Sequence, residues 1–389
     1  MSTPSSADPD LAAPSAGITI REIKQQPALW RDVASTAVAR RAGTQEFLAP
    51  LLARPDCRVV LTGAGSSAFV GDILAPALSR HLGRQAGTRV DAVPTTDIVS
   101  NPREAFAEDV PTVLVSFARS GDSPESIAAP ELAEQHLSEV HHVIVTCSDQ
   151  GRLYQSHEGA ERSLVLLMPP EANDQGFAMT SSFTCMTLAG WLTFTRAAPP
   201  QAMIDRLVSA GERVVEGSFR TASALAARGY HRVVYLGSGA LTGLAHESAL
   251  KLLELTAGRT VTYFDSALGF RHGPKSVLDE RTLAVVYLSN DPYTRLYDED
   301  IAAELADALG EDNVLLVGAR SSERLGELSG QVSGLDDADD VLLSLPFVVY
   351  AQTLALQFAL ALGSTPDNPF PSGEVNRVVQ GVTIHPANG

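Results

Sequence analysis

Residues 58–69 read Arg-Val-Val-Leu-Thr-Gly-Ala-Gly-Ser-Ser-Ala-Phe. A short, branched apolar run bounded by a glycine turn predicts a parallel strand buried on both faces. Gly63-Ala64-Gly65 then makes the turn, and Ser66-Ser67 opens a helix reaching about Leu82. The run Arg232-Val-Val-Tyr-Leu-Gly-Ser-Gly239 repeats this pattern 174 positions later. Further repeats follow in order: Thr112–Phe117 is mirrored by Leu283–Ser289, and His141–Val145 by Asn313–Val317. Strands that alternate with helical patterns indicate an α/β class with a parallel sheet in each half. The chain reads as two tandem doubly wound units. The break at Ala198-Pro-Pro-Gln201 sets the expected domains at 18–200 and 201–389, with a disordered leader over 1–17.

Composition narrows the function classes. The chain has 389 residues, 44% of them hydrophobic and 19% charged, which suits a soluble multidomain protein. A formal net charge of −17 argues against a nucleic-acid partner. It leaves room for a local anion site, which needs only a few donors. Three scattered cysteines, Cys57, Cys147 and Cys185, and no signal-like N-terminus point to a reducing, cytoplasmic setting. Val341–Gly363 carries no charge, but Gln352 and Gln357 oppose a membrane span. A buried helix from Pro346 to Leu362 is expected instead. The nine histidines show no metal-ligand spacing, so neither metal nor organic cofactor is indicated. His141–His142 reads as a structural pair at a strand edge. Near the N-terminus, Ile18–Trp30 reads as a short capped element and Arg31–Ala53 as a helix.

Two regions suggest chemistry. In Glu247–Pro274, Glu247, Lys251 and Glu254 fall on one helical face, and a loop carrying Arg271 and His272 follows. An acid and a base on a largely buried helix suit proton transfer, although a structural ion pair gives the same pattern. In the first half, Ser66 and Ser67 follow one strand. Arg119, Ser120 and Ser123 follow its expected neighbour. Hydroxyls and amides at two helix starts can hold a phosphate, and serines there also serve as plain caps. A dinucleotide site is the rival for Gly63-x-Gly65-x-x-Ala68, but it leaves the second serine loop without a task.

Several blocks together resemble a known family. They are Glu22-Ile-Lys-Gln-Gln-Pro27, Ser116-Phe-Ala-Arg-Ser-Gly-Asp-Ser-Pro-Glu-Ser126, Ala178-Met-Thr-Ser-Ser-Phe-Thr184, Gly269-Phe-Arg-His-Gly-Pro-Lys-Ser276 and Ser289-Asn-Asp-Pro-Tyr-Thr294. Over about residues 18–386 the chain resembles the double-SIS sugar-phosphate proteins. These include the isomerase half of glucosamine-6-phosphate synthase and, nearer, the galactosamine-6-phosphate deaminase/isomerases, also labelled tagatose-6-phosphate ketose/aldose isomerases. The resemblance implies two SIS domains and a homodimer or larger assembly. It implies Glu254 as the base moving a proton between C2 and C1, and Lys251 as its helix partner. His272 would assist ring opening from the neighbouring subunit, and Ser66, Ser67, Ser120 and Ser123 would hold phosphate, with Arg119 beside them. Two departures stand out. Ala118-Arg119 replaces the synthase's serine-glutamine, and Gln380 stands where the synthase has its imine-forming lysine. The implied activity is deamination of a 2-amino-2-deoxyhexose 6-phosphate. Plain aldose–ketose isomerisation and non-catalytic sugar-phosphate sensing are the alternatives.

Overall fold

The computed structural model describes residues 15–195 and 199–386. The expected leader, up to residue 14, and the boundary residues 196–198 lie outside the described residues. Helices α1 (Gly17–Ala39) and α2 (Arg41–Leu52) lead into the first sheet unit. That unit runs β1 (Arg58–Thr62), α3 (Ser66–Ala86), β2 (Arg89–Ala92), α4 (Thr95–Ser100), α5 (Pro102–Ala105), β3 (Thr112–Ala118) and α6 (Pro124–His136). It continues through β4 (Val140–Thr146), α7 (Arg152–His157), β5 (Ser163–Leu167) and α8 (Ser181–Phe194). The second unit comprises α9 (Gln201–Ala226), β6 (Arg232–Leu236), α10 (Ala240–Leu255), β7 (Val261–Asp265), β8 (Thr282–Tyr287), α11 (Pro292–Leu309), β9 (Val314–Gly318), β10 (Gly330–Gln331) and α12 (Asp340–Ala361).

The sheets order as β2-β1-β3-β4-β5 and β10-β9-β8-β6-β7, parallel throughout. Matching β6 to β1, β7 to β2 and so on turns one order into the other, so the sequence repeat is also a repeat of topology. The glycine turns explain why the pattern recurs. A Cβ on Gly63 would lie 2.5 Å from the Ser67 carbonyl carbon, and one on Gly237 would lie 2.5 Å from the Leu241 oxygen. Gly65 and Gly239 take φ of +55° and +59°, where an L side chain is strained. Both glycines of each turn are therefore required by geometry.

The two units share a continuous apolar core. At its centre α3 packs on α10. A Cβ on Gly243 would sit 2.8 Å from main-chain atoms of Asp72 and Ile73, so glycine sets the approach of these helices. The His246 ring fills the junction, with its centroid 3.7 Å from that of Phe69 and 3.8 Å from that of Phe264. On the other side Trp30 of α1 donates to Thr184 Oγ1 at 3.0 Å, and a Cβ on Gly211 would meet the Trp30 ring at 2.3 Å.

Three expectations change. The expected buried helix, α12, starts at Asp340, upstream of Pro346, and so takes one acidic residue into its first turn. Asp339 accepts the Val341 N–H at 3.0 Å and caps it there. At the N-terminus a single helix runs through Pro27 to Ala39. The Ile23 carbonyl that Pro27 leaves without a backbone donor accepts the Gln26 side-chain amide at 3.1 Å. Finally, β4 lies inside the sheet, so His141–His142 is not at an edge. His142 is buried against His157, with ring centroids 4.7 Å apart.

Gly243→Ala should lower stability by about 1–3 kcal/mol, because main chain rather than a flexible side chain must move. The thermal unfolding midpoint measures this, and an unchanged midpoint would contradict the close-approach account.

Candidate active site

Because β1 and β6 end in the same turn, α3 and α10 both start at the carboxyl edges of their sheets, where α/β folds bind ligands. Ser66 and Ser67 open α3 and are buried. From α10, Lys251 lies between two carboxylates, with Nζ 3.6 Å from Glu247 Oε1 and 2.5 Å from Glu254 Oε2. Side-chain exposure falls from 24% at Glu254 to 1% at Lys251 and 0% at Glu247. Glu254 is thus the member that opens outward.

The charges of this triad follow from burial and proximity. Burial pushes the Glu247 carboxyl up to about 8, and the Glu254 charge adds to this, while Lys251 and the Ser66 hydroxyl oppose it. Burial alone would pull the Lys251 ammonium down, but the carboxylates of Glu247 and Glu254 outweigh it and hold it above its usual value. An ammonium held charged beside an outward carboxylate suits a site where negative charge develops on a substrate.

The second serine loop leaves β3, which pairs directly with β1 and sets Ser116 opposite Thr62. Gly121 takes φ +72°. The loop after β4 holds this turn: Leu153 N donates to the Gly121 carbonyl at 3.1 Å, and Arg152 N to Asp122 Oδ1 at 3.0 Å. Ser123 caps α6 by accepting the Ser126 N–H at 3.3 Å, and Ser120 Oγ accepts from Asp122 N at 3.4 Å. Both hydroxyls therefore have local roles: the Ser120 hydroxyl retains a proton to donate, and Ser123 Oγ also shares a hydrogen bond with Ser126 Oγ at 2.7 Å, in which either can donate. In the second unit Asp291 occupies the matching cap and accepts from Tyr293 N at 3.0 Å and Thr294 N at 2.9 Å.

Arg119 is buried at the start of the β3 loop. Its guanidinium donates to the Arg377 carbonyl at 2.7 Å and the Phe177 carbonyl at 3.5 Å, while Nε has no partner among the described residues. Burial, and then the Arg377 charge, lower its pKa, whereas Asp174, Cys147 and Glu254 act the other way. The guanidinium thus lies within electrostatic reach of Glu254. Arg377 in turn donates to the Asp174 carbonyl.

Ser66 reaches Glu247, and Arg119 acts electrostatically on Lys251 and Glu254, so these groups meet across the two units, with the Ser120–Ser123 turn next to Arg119, while the neighbouring Ser67 hydroxyl donates to Met179 Sδ at 3.9 Å. His272 does not join them. It lies exposed after β7 and meets neither Glu254 nor Lys251, while its neighbours Arg271 and Lys275 pair with Glu304. Gln380 is exposed in a C-terminal segment without helix or strand. Sequence reasoning placed Glu247 on the right face but gave it no role. It did not reveal the contact between Arg377 and Asp174, because a pairing through a main-chain carbonyl leaves no side-chain signature.

The SIS domain family matches residues 51–196. A Streptomyces coelicolor protein that carries the AgaS name is 58% identical, over 95% of this chain and 96% of that one. The D-galactosamine-6-phosphate deaminase AgaS of Shewanella sp. is 43% identical, over 95% of this chain and 92% of its own. The chain belongs to the AgaS family of D-galactosamine-6-phosphate deaminases. The crystal structure of tagatose-6-phosphate ketose/aldose isomerase from Escherichia coli superposes with a TM-score of 0.85 at 40% identity, covering 97% of this chain and 99% of that one. The AgaS relatives match over 95% of this chain, so the family likeness spans both units.

Lys251→Met removes the triad's one cation, leaving the Glu254 carboxylate and the buried Glu247 carboxyl without it, and should destabilise by about 3–5 kcal/mol. Glu247→Gln in the same chain should recover part of that loss. Denaturant unfolding of the single and double variants tests the pairing, and additive effects would show that Glu247 and Lys251 do not depend on each other.

Proposed function

We propose that this chain deaminates D-galactosamine 6-phosphate, giving tagatose 6-phosphate and ammonia, with Glu254 as the proton carrier. The observation that carries the reading is the outward Glu254 carboxylate held 2.5 Å from a buried ammonium. The serine loops that suit a phosphate lie across from it. In the open-chain substrate the aldehyde acidifies the C2 proton. Glu254 removes it, and Lys251 neutralises the negative charge that passes to O1. O1 takes up a proton as the amino nitrogen gives one up, and the same carboxyl returns the C2 proton to C1, leaving a hydroxymethyl C1 and an imine at C2. Water adds to C2, the C–N bond breaks, and ammonia leaves with the proton count balanced. With a hydroxyl at C2, the same shuttle would interconvert aldose and ketose, matching the label of the Escherichia coli structure.

The phosphate is assigned to Ser66, Ser67, Ser120, Ser123 and Arg119. Ring opening is assigned to His272 of a neighbouring copy. Its exposure, and its separation from Glu254 within one chain, support a site completed in a homodimer. Leu253 and Leu268, 43% and 45% exposed, flank these two residues and give such a contact apolar surface. Gln380 cannot form an imine with a ketose, which favours substrates that already carry nitrogen at C2. Its substrate and three buried thiols fit a cytoplasmic enzyme.

Glu254→Gln should keep the fold and lose roughly two to four decades of ammonia release, the range for a positioned general base. Near-normal turnover would remove Glu254 from the role. Mixing Glu254→Gln with His272→Ala protein after subunit exchange should restore part of the activity, since mixed dimers hold one site with both groups. No recovery under demonstrated exchange would show that the site is not shared.

A further inference from the structure

The stretch Glu22-Ile-Lys-Gln-Gln-Pro27 has no place in the chemistry above, although it faces the site's supporting loop. Glu22 is buried on α1. Its Oε1 accepts from Gln175 N at 2.5 Å and Gly176 N at 3.2 Å, and Oε2 lies 3.2 Å from the same Gly176 nitrogen. Gln25 donates to the Glu171 carbonyl and to Ser181 Oγ, both at 2.9 Å. Ser181 Oγ donates back to the Glu22 carbonyl at 2.7 Å. A Cβ on Gly176 would lie 2.9 Å from Glu22 Oε2, so loop and helix meet at a bare peptide.

From that peptide the loop reaches the site on both sides. Just before it, the Asp174 carbonyl accepts from Arg377, and the Asp174 carboxylate caps α8 through Thr180, Ser181 and Ser182. Just after it, the Phe177 carbonyl accepts from Arg119, and the Phe177 ring packs on Phe370 at 5.2 Å between centroids. We propose that Glu22 is a positioning residue for the anion end of the site: it holds the Gln175–Gly176 peptides and, through the neighbouring carbonyls, fixes Arg119 and the C-terminal segment. The inference rests on the reading of Arg119 and the serine loops as the phosphate site.

The charge of Glu22 supports this assignment. Burial, then the Asp174 charge, raises its pKa to about 7, against the two backbone N–H bonds and Arg21. Asp367, which accepts from Thr19, is the other charge beside this contact. A carboxyl whose folded pKa lies above its unfolded value stabilises the fold at low pH and loses that contribution as pH rises through about 4.5 to 7. Ionised Glu22 therefore works against global stability while strengthening its bonds to the loop. A merely structural residue would not separate these two effects.

The test is steady-state ammonia release from galactosamine 6-phosphate by full-length Glu22→Gln protein between pH 6 and 9, with unfolding midpoints recorded alongside. Glutamine keeps the size but turns an amide donor toward N–H donors. KM should rise about fivefold, kcat should stay within about twofold, and the midpoint at alkaline pH should not fall. Wild-type KM should climb as pH drops through neutrality, and the variant's should not. In an Arg119→Ala background, Glu22→Gln should add nothing. An unchanged KM, a kcat loss at constant KM, or a full effect without Arg119 would overturn the proposal. Should Glu22→Gln fail to fold, Gly176→Ala pushes the same contact from the loop side, and wild-type KM in that variant would overturn it equally. Ser123→Ala separates the two readings. If it raises KM while Glu22→Gln does not, only the Glu22 inference falls. If neither changes KM and inorganic phosphate does not compete, the phosphate site itself falls.

Discussion

The close packing of α3 on α10 is the constraint on which the molecule depends. Both helices start from the same glycine turn in their own units, and both carry residues assigned to the site. Only a residue without a side chain at 243 lets α10 approach the main chain of Asp72 and Ile73. That approach brings Ser66 toward Glu247 and places the α10 triad opposite the loops of the first sheet. The shared core is therefore also the means by which two units make one site.

The buried triad shows how such a site stays charged. Two carboxylates around one ammonium leave an excess negative charge, and the structure resolves it by depth. The innermost acid, Glu247, has its proton affinity raised by burial, while the acid nearest solvent pairs tightly with Lys251. Replacing any member changes the charge that the others experience, so single substitutions here report on the group rather than on one residue.

Much of this was legible in the sequence for identifiable reasons. The strand–glycine–helix turn at residues 58–69 is dictated by local sterics, so its copy at 232–239 announced the second sheet. Glu247, Lys251 and Glu254 were visible as one face because helical spacing is regular. Boundaries failed where a single local side-chain hydrogen bond decided them. Pro346 resembled a helix start until Asp339 proved to be the cap, and the break expected after Trp30 is absent because α1 continues to Ala39, with the Gln26 amide satisfying the Ile23 carbonyl that Pro27 leaves open. The contact of Arg377 with Asp174 was invisible because it spans 203 positions and uses a main-chain acceptor. His272 was visible as the loop histidine after the helix but owed its role to resemblance, and among the described residues one chain alone gives it no contact with Glu254 or Lys251.

The two units differ at one matching cap, and this has a consequence for stoichiometry. Where the first unit has the neutral hydroxyl of Ser123, the second has the carboxylate of Asp291, which already takes the N–H groups of Tyr293 and Thr294. A helix start filled by its own anion has no vacancy for a phosphate and would repel one. If the first loop seats the phosphate as proposed, the matching helix start of the second unit is closed to a second one by its own carboxylate. On that reading each chain offers one anion seat rather than two, the seat and the α10 triad come from different units, and neither half is self-sufficient.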